Sequence, residues 1–272
     1  MKYALITGAA SGMGKATAIK LAQNGYHVFA CDIKKNNEEL ENITQLEVDV
    51  TNIKSIEKAY EYIKGKTDKL DAVINFAGII MMNSLIEISE EDFVKIFNVN
   101  LFGAYRINKT FFPLVQNAKG KIFITTSELA PNKILPFNAI YSISKKALDA
   151  YAQGLTMELG LLNIPVITIR PGAVETPILT HSTNEMNSLN QNTKLYKNTI
   201  TKFKHIVDKE QGKTISPNKI ADLVFKILNK KRPKHIYSKN VSFKLKLLNI
   251  LPAKTQIKLF KMILKTNNEP NS

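Results

Sequence analysis

An α/β fold built as a doubly wound parallel sheet is what the sequence predicts, and two observations carry that expectation. Short β-rich runs alternate with longer helical patterns along most of the chain. A glycine-rich turn also follows the first of those runs directly and opens the first helix. Strands spaced by crossover helices pair in parallel within one sheet and are covered by helices on both faces.

"YALIT" is the first buried strand, and the helix after the glycine turn runs through "KATAIKLAQNG", where Gly25 ends it. "HVFACD" and "TQLEVDV" are the second and third strands, and an amphipathic helix lies between Thr51 and Lys64. "LDAVINFAG" is the fourth strand, a long helix covers roughly residues 90–112, and "GKIFITTS" is the fifth strand. A helix from about Tyr141 to Leu162 leads to "PVITIRPG", the sixth. Residues 1–178 read as the core of one continuous domain. Residues 179–214 are polar and weakly periodic, a long loop or weakly helical insertion of the kind that forms substrate lids. Residues 215–272 read as C-terminal helices, opening at Ser216 as N-cap with Pro217 in the first helical position.

The chain has 272 residues and is 44% hydrophobic, enough for a sizeable core. A single cysteine, Cys31, excludes an intrachain disulfide and fits a reducing compartment. No secretory signal and no run of about 18 apolar residues is visible, so a soluble, cytoplasmic protein is expected. The net charge of +15 is localised: residues 201–272 hold 17 Lys/Arg against 4 Asp/Glu, which leaves +2 for the first 200. A basic tail on a near-neutral body argues for a local surface property and against nucleic-acid binding.

"TGAASGMG", Thr7 to Gly14, lies between a strand and a helix. Gly8, Gly12 and Gly14 permit a tight turn and a close backbone approach to a pyrophosphate, which the helix N-terminus favours electrostatically. Asp32 ends the second strand 18 residues after Gly14, where its carboxylate can bond both ribose hydroxyls of an adenosine and repel a 2′-phosphate. NAD is therefore preferred, and the neighbouring Lys34 and Lys35 leave NADP open. Asp49, in "EVDV", is a candidate for the adenine edge.

In "YSISK", Tyr141 and Lys145 stand one turn apart on one helix face. A free phenol has a pKa of about 10, too high for a base near neutrality. An ammonium one turn away stabilises phenolate and is expected to lower that value. By itself such a pair is ordinary on a helix; beside a nucleotide site it points to proton transfer.

"TGAASGMG", "NFAG" at 75–78, "NVNLFG" at 98–103, "TTS" at 125–127, "YSISK" and "RPGAVET" at 170–176 occur in that order. In these motifs the chain resembles the short-chain dehydrogenase/reductase family over nearly its first 180 residues. The resemblance implies a Rossmann-type sheet and a catalytic group of Asn100, Ser127, Tyr141 and Lys145. Ser127 would orient the substrate oxygen toward Tyr141, Lys145 would hold the nicotinamide ribose, and Asn100 would support a water chain that resupplies protons to Lys145. It further implies cofactor contacts at Gly8, Ser11, Gly12, Met13, Gly14, Asp32, Asp49, Val50, Asn75, Ala77 and Gly78. Tyr141, Lys145, Pro171, Gly172, Val174 and Thr176 complete that set, and no metal enters the reading.

Two departures from the family pattern stand out. Phe76 replaces an asparagine in "NFAG", and Tyr141 stands 14 positions after Ser127, one more than usual. Ser127 is preferred because "ELAPNKILPFN" can absorb a residue, with Thr126 or Thr125 as alternative hydroxyls.

The implied reaction interconverts a secondary alcohol and a ketone. The segment before Tyr141 and the basic C-terminus are similar to family members acting on steroids, retinoids and lipid ketones. The alternatives are an NADPH-dependent lipid-ketone reductase and a non-catalytic NAD(H)-binding sensor. In the tail, Lys254, Lys258, Lys261 and Lys265 share a face opposite Ile257, Phe260, Ile263 and Leu264. That helix either packs on the body with a solvated lysine face, the favoured reading, or makes peripheral contact with an anionic membrane. Family members commonly pair through the helices at 90–112 and 141–162, so a homodimer or homotetramer is expected.

Overall fold

The computed structural model describes residues 1–35, 40–210 and 214–264, with backbone alone at 206–210. Seven parallel strands form one sheet in the order β3-β2-β1-β4-β5-β6-β7, a Rossmann-type doubly wound architecture. The strands are β1 (Lys2–Thr7), β2 (Tyr26–Asp32), β3 (Ile43–Glu47), β4 (Ala72–Asn75), β5 (Lys121–Thr125), β6 (Val166–Pro171) and β7 (Ile236–Lys239). β1 and β4 are central because both faces of each are buried, which fits their nearly continuous apolar runs. Leu5 pairs with Phe29 on one side and Val73 on the other.

Two cores flank the sheet. On one face α2 (Ile53–Lys64) and α4 (Ala104–Ala118) bury Ile56, Ile63, Ile107 and Phe111 against Leu5, Val73 and Ile124. On the other, α1 (Gly12–Ala22) and α8 (Asn218–Leu228) bury Leu21, Val224 and Ile227 against Ile6, Ile74 and Ile169. Local signals set the helix starts: Asn52 accepts from the Lys54 amide at the head of α2, and Ser89 from the Asp92 amide at the head of α3 (Glu90–Phe97). Ser216 likewise accepts from the Asn218 amide ahead of α8, with Pro217 just before its first residue.

The structure alters the expected element map in three places. The helix expected at 90–112 is α3, a π-helical turn over Asn98–Gly103, and α4, which continues through Pro113 because Leu114 and Val115 beyond it are buried. Residues 179–214 include two helices, α6 (Pro177–Asn192) and α7 (Lys197–Glu210), where a long loop or weakly helical insertion was expected. Their few apolar residues, Met186, Leu189, Ile200 and Phe203, cluster with Met82, Phe137 and Leu264, so packing supplies what periodicity lacked. β7 was not anticipated; it is a four-residue, largely exposed edge strand that pairs with β6 from Thr168–Ile236 onward.

α5 (Ala139–Gly160) is the longest helix described, followed late in the chain by α9 (Phe243–Ile250) and α10 (Ala253–Leu264). The glycine turn is closed so tightly that a Cβ on Gly14 would lie 2.0 Å from the Gly8 carbonyl oxygen. Gly14→Ala is therefore expected to cost about 1–3 kcal/mol in urea unfolding. Gly154→Ala, in α5 with no atom within 4 Å of the added Cβ, should stabilise by up to about 1 kcal/mol. Equal effects of the two substitutions would show that the turn is looser than described.

Candidate active site

Strand order reverses between β1 and β4, and clefts at the carboxyl ends of strands at such a point are where doubly wound sheets bind ligands. The first cleft there is lined by Ala9, Ala10, Lys15, Asp32, Lys34 and Gln45, among others. The Asp32 carboxylate accepts from the Ala10 amide at 2.9 Å and the Lys34 amide at 3.3 Å, which fixes it at the rim of the glycine turn.

A second, open cleft lies on the other side of that turn, ≈ 690 Å³ when the solvent at its open mouth is counted. Met13, Gly78, Ser127, Tyr141 and Lys145 line it, as do Pro171, Gly172, Val174 and Thr176. Phe76, Ile79, Ile80, Ile178 and Leu179 make much of its wall apolar. The 14-position offset thus leaves Ser127 and Tyr141 lining one site, with the Ser127 hydroxyl near enough to pull the phenol's pKa down. The alternative hydroxyls, Thr125 and Thr126, line the same cleft and are placed differently. Thr126 donates to Asp149 Oδ1 at 3.1 Å, and Asp149 is held by a bidentate pair with Arg170 at 2.9 and 2.6 Å. The Thr125 hydroxyl is buried and makes no hydrogen bond among the described residues.

Lys145 is buried; its ammonium donates to the Thr125 carbonyl at 3.2 Å and lies 5.9 Å from the Tyr141 ring centroid. Asn100, on the π-helical turn, is buried too. Its amide oxygen accepts from the Ile79 amide at 2.8 Å, and its amide nitrogen donates to the Ile79 carbonyl and to Ser144 Oγ, both at 3.0 Å. Ser144 in turn donates to the Tyr141 carbonyl at 2.8 Å. Gly78 is the space between these groups: a Cβ there would meet Asn100 Oδ1 at 3.2 Å and Lys145 Nζ at 3.3 Å.

Burial dominates the electrostatics. The Tyr141 phenol is pushed up to about 12 by desolvation, partly offset by the Ser127 hydrogen bond. Desolvation also brings the Lys145 ammonium down to about 8. The Tyr141 phenol is thus raised where a lowering by Lys145 was expected, because burial takes phenolate out of water. The adjacent Glu128 carboxyl is raised by burial, against the pull of the Ser242 amide that donates to it at 2.5 Å.

Several expected cofactor contacts line neither cleft. Asn75 donates into the core, to Asn108 Oδ1 and the Phe123 carbonyl. The Asp49 carboxylate accepts from the amide and hydroxyl of Thr51, in a turn at the head of α2. Val50 packs against Gly103, Ala77 donates its amide to the Thr7 hydroxyl, and Ser11 sits at the N-cap of α1 without a side-chain cap bond. Gly8, Gly12 and Gly14 form the turn between the two clefts, with Gly8 and Gly12 at φ +67° and +51°. Sequence reasoning did not assign roles to Ser144, Lys15, Phe76, Ile79 or Ile80. Ser144 lies three residues from Tyr141, on a neighbouring helix position, which was a usable signal. The apolar run after Gly78 offered none.

A family model described as short chain dehydrogenase matches residues 2–187, and the chain belongs to the short-chain dehydrogenase/reductase family of oxidoreductases. Similar curated proteins include the 3-ketodihydrosphingosine reductase of Bacteroides thetaiotaomicron, 31% identical over 84% of this chain and 84% of that protein. The 3-amino-tetrahydro-pyrrolizinone reductase of Xenorhabdus hominickii is 31% identical over 92% of each. Among solved structures, the 3-ketoacyl-(acyl-carrier-protein) reductase from Brucella melitensis complexed with NADH aligns over 87% of this chain and 96% of that one. Its TM-score is 0.71 at 22% identity, a likeness of fold.

A lysine lowered to about 8 when folded, against about 10.4 unfolded, costs stability below pH 8, and the cost disappears as pH rises toward 10.4. Lys145→Met should therefore stabilise the protein by on the order of 3 kcal/mol at pH 7, a gain that shrinks to about 1 kcal/mol at pH 10. Urea unfolding at both pH values checks this; a pH-independent difference would mean that Lys145 is not desolvated.

Proposed function

We propose that this protein is an NAD(P)-dependent oxidoreductase that interconverts a secondary alcohol and a ketone, prefers NAD, and acts on a hydrophobic, lipid-like substrate. The observation that carries this reading is the convergence of Ser127, Tyr141 and the buried Lys145 on one cleft, which shares its glycine turn with the Asp32 cleft. The turn suits a dinucleotide: it is closed to side chains at Gly14, and its backbone lies at the N-terminus of α1, where a pyrophosphate is favoured. Gly8, Ser11, Gly12, Met13 and Gly14 would hold the phosphates, Asp32 the adenosine ribose, and Pro171, Gly172, Val174 and Thr176 the nicotinamide end. A bound nicotinamide supplies or accepts the hydride.

Ser127 bonds the substrate oxygen and directs it to Tyr141, whose hydroxyl passes the proton. With its pKa up near 12, the phenol is protonated across the neutral range, the form that donates to the developing alkoxide in ketone reduction. Lys145 holds positive charge beside the phenol, and Asn100 ties the Ile79 backbone to Ser144, whose hydroxyl bonds the Tyr141 carbonyl. The apolar wall of Phe76, Ile79, Ile80, Ile178 and Leu179 favours a hydrophobic substrate. The similarity to a 3-ketodihydrosphingosine reductase points the same way. Helices α6 and α7 stand as its lid. Exposed Tyr105, Met157 and Leu161 on and just beyond α4 and α5 support pairing of two chains through those helices.

Mass-spectrometric comparison of a lipid extract incubated with NADH and protein tests the reading. A species should gain two mass units with the wild type, and Tyr141→Phe should slow its formation by at least about 100-fold. Unchanged extracts with NADH, NADPH and their oxidised forms, alongside intact cofactor binding, would favour a non-catalytic NAD(H) sensor.

Fluorescence titration separates the cofactor readings. NADH is expected to bind more tightly than NADPH, and Asp32→Ser should narrow the gap by about tenfold, one charge repulsion of roughly 1.4 kcal/mol. Tighter NADPH binding by the wild type, aided by Lys15 and Lys34 at that cleft, would instead support an NADPH-dependent lipid-ketone reductase.

A further inference from the structure

α9 is amphipathic in an unusual sense, because its apolar stripe faces out. Phe243, Leu247 and Ile250 are 70%, 49% and 78% exposed, at the i, i+4, i+7 spacing of a single helix face. At about 100° per residue, Lys246 and Lys244 border that stripe on either side. The opposite face of α9 is fastened to the body. Asn249 accepts from the Lys133 amide at 2.7 Å and donates to Asn132, while Lys133 Nζ reaches the Leu251 carbonyl.

α10 extends the surface. Its Leu264 and Phe260 pack with the lid residues Met186, Leu189 and Phe203, so part of the expected apolar face is spent on the body. Ile257 and Ile263 remain 56% and 42% exposed, and Lys254, Lys258 and Lys261 are exposed too; Lys265 lies outside the described residues. From 240 to 264 the sequence carries five lysines and no Asp or Glu. No helix among the described residues is long and apolar enough to cross a membrane.

We propose that the outer face of α9, with the lysines of α10, is a docking surface for an anionic lipid bilayer. The occupant must be both anionic and apolar. A second copy of the same face would bring lysines against lysines, which like-charge repulsion opposes. A nucleic acid offers the charge but gains little from an aliphatic stripe with one aromatic ring. An anionic bilayer offers both: headgroup charge for the lysines and an acyl boundary for Phe243, Leu247 and Ile250. Docking there would also place the membrane beside the 128–137 loop and the α6–α7 lid, to which α9 and α10 are fastened.

Co-sedimentation of the full chain with vesicles tests this without any turnover, so its failure would leave the oxidoreductase reading untouched. Binding is expected to phosphatidylcholine vesicles containing a third phosphatidylglycerol and at least tenfold less to phosphatidylcholine alone. Lys246→Gln with Lys258→Gln should weaken it by roughly 25-fold, at about fivefold per lysine. Phe243→Ser with Ile250→Ser should weaken it more than tenfold without changing the melting temperature, since both side chains are exposed. The proposal is overturned by equal adsorption to both vesicle types, by binding unaffected in either double variant, or by displacement from vesicles by duplex DNA. It is overturned equally by a dimer in size-exclusion chromatography that Phe243→Ser with Ile250→Ser dissolves, which would assign the stripe to a second copy.

Discussion

The shape of the site depends on one buried side-chain amide. Asn100 accepts from the backbone N–H of Ile79 and donates to its carbonyl and to Ser144, which bonds the Tyr141 carbonyl. Those contacts tie the chain leaving β4, the π-helical turn and α5 into one unit. An unmade bond at a buried polar group costs about 1–3 kcal/mol, and Asn100 satisfies three groups at once. A π-helical turn inserts a residue into the helical register, and here it falls on the segment that carries Asn100. Gly78 lies against both the Asn100 side chain and the Lys145 ammonium, which a Cβ there would crowd at 3.2 and 3.3 Å.

Around that unit the fold maintains two costs. Lys145 is buried with its ammonium on a backbone carbonyl, and the Tyr141 phenol is surrounded closely enough that its ionised form is strongly disfavoured. The phenol and ammonium are pushed apart in pKa by the same desolvation, upward for the acid and downward for the base. Ahead of α5, Phe137 adopts φ 61°, a left-handed conformation that costs a bulky residue roughly 1–2 kcal/mol. Edge-on contacts with Tyr196 and Phe203, each at 5.3 Å, offset it and lock the start of α5 against α7 and the residue before it.

The two sides of the molecule differ in how openly the sequence declares them. The strands β1 to β6 and the helices between them follow from apolar runs, caps and glycines that act over a few residues, and each was legible. α6 and α7 were not, because their apolar residues are too sparse to show a helical period; they are held by Phe137, Met82 and Leu264 from distant parts of the chain. β7 is short and exposed, so its only strong signal is the neighbour it pairs with, β6. Tyr141, Lys145 and Ser127 were legible as a set that lines one cleft, whereas the bond from Thr126 to Asp149 was not, because Asp149 lies on a helix further along the chain.

What the sequence alone determined is the parallel doubly wound sheet, the glycine turn, Asp32 at the end of β2 and the Tyr141–Lys145 pair, because local spacing and chain connectivity are enough to imply them. What only the tertiary structure decided is where the Thr125, Thr126 and Ser127 hydroxyls sit, the direction in which burial moves the two titratable groups, and which apolar residues of the C-terminal helices face outward. Each of those depends on groups far apart in sequence excluding water from one another, and no local pattern records that.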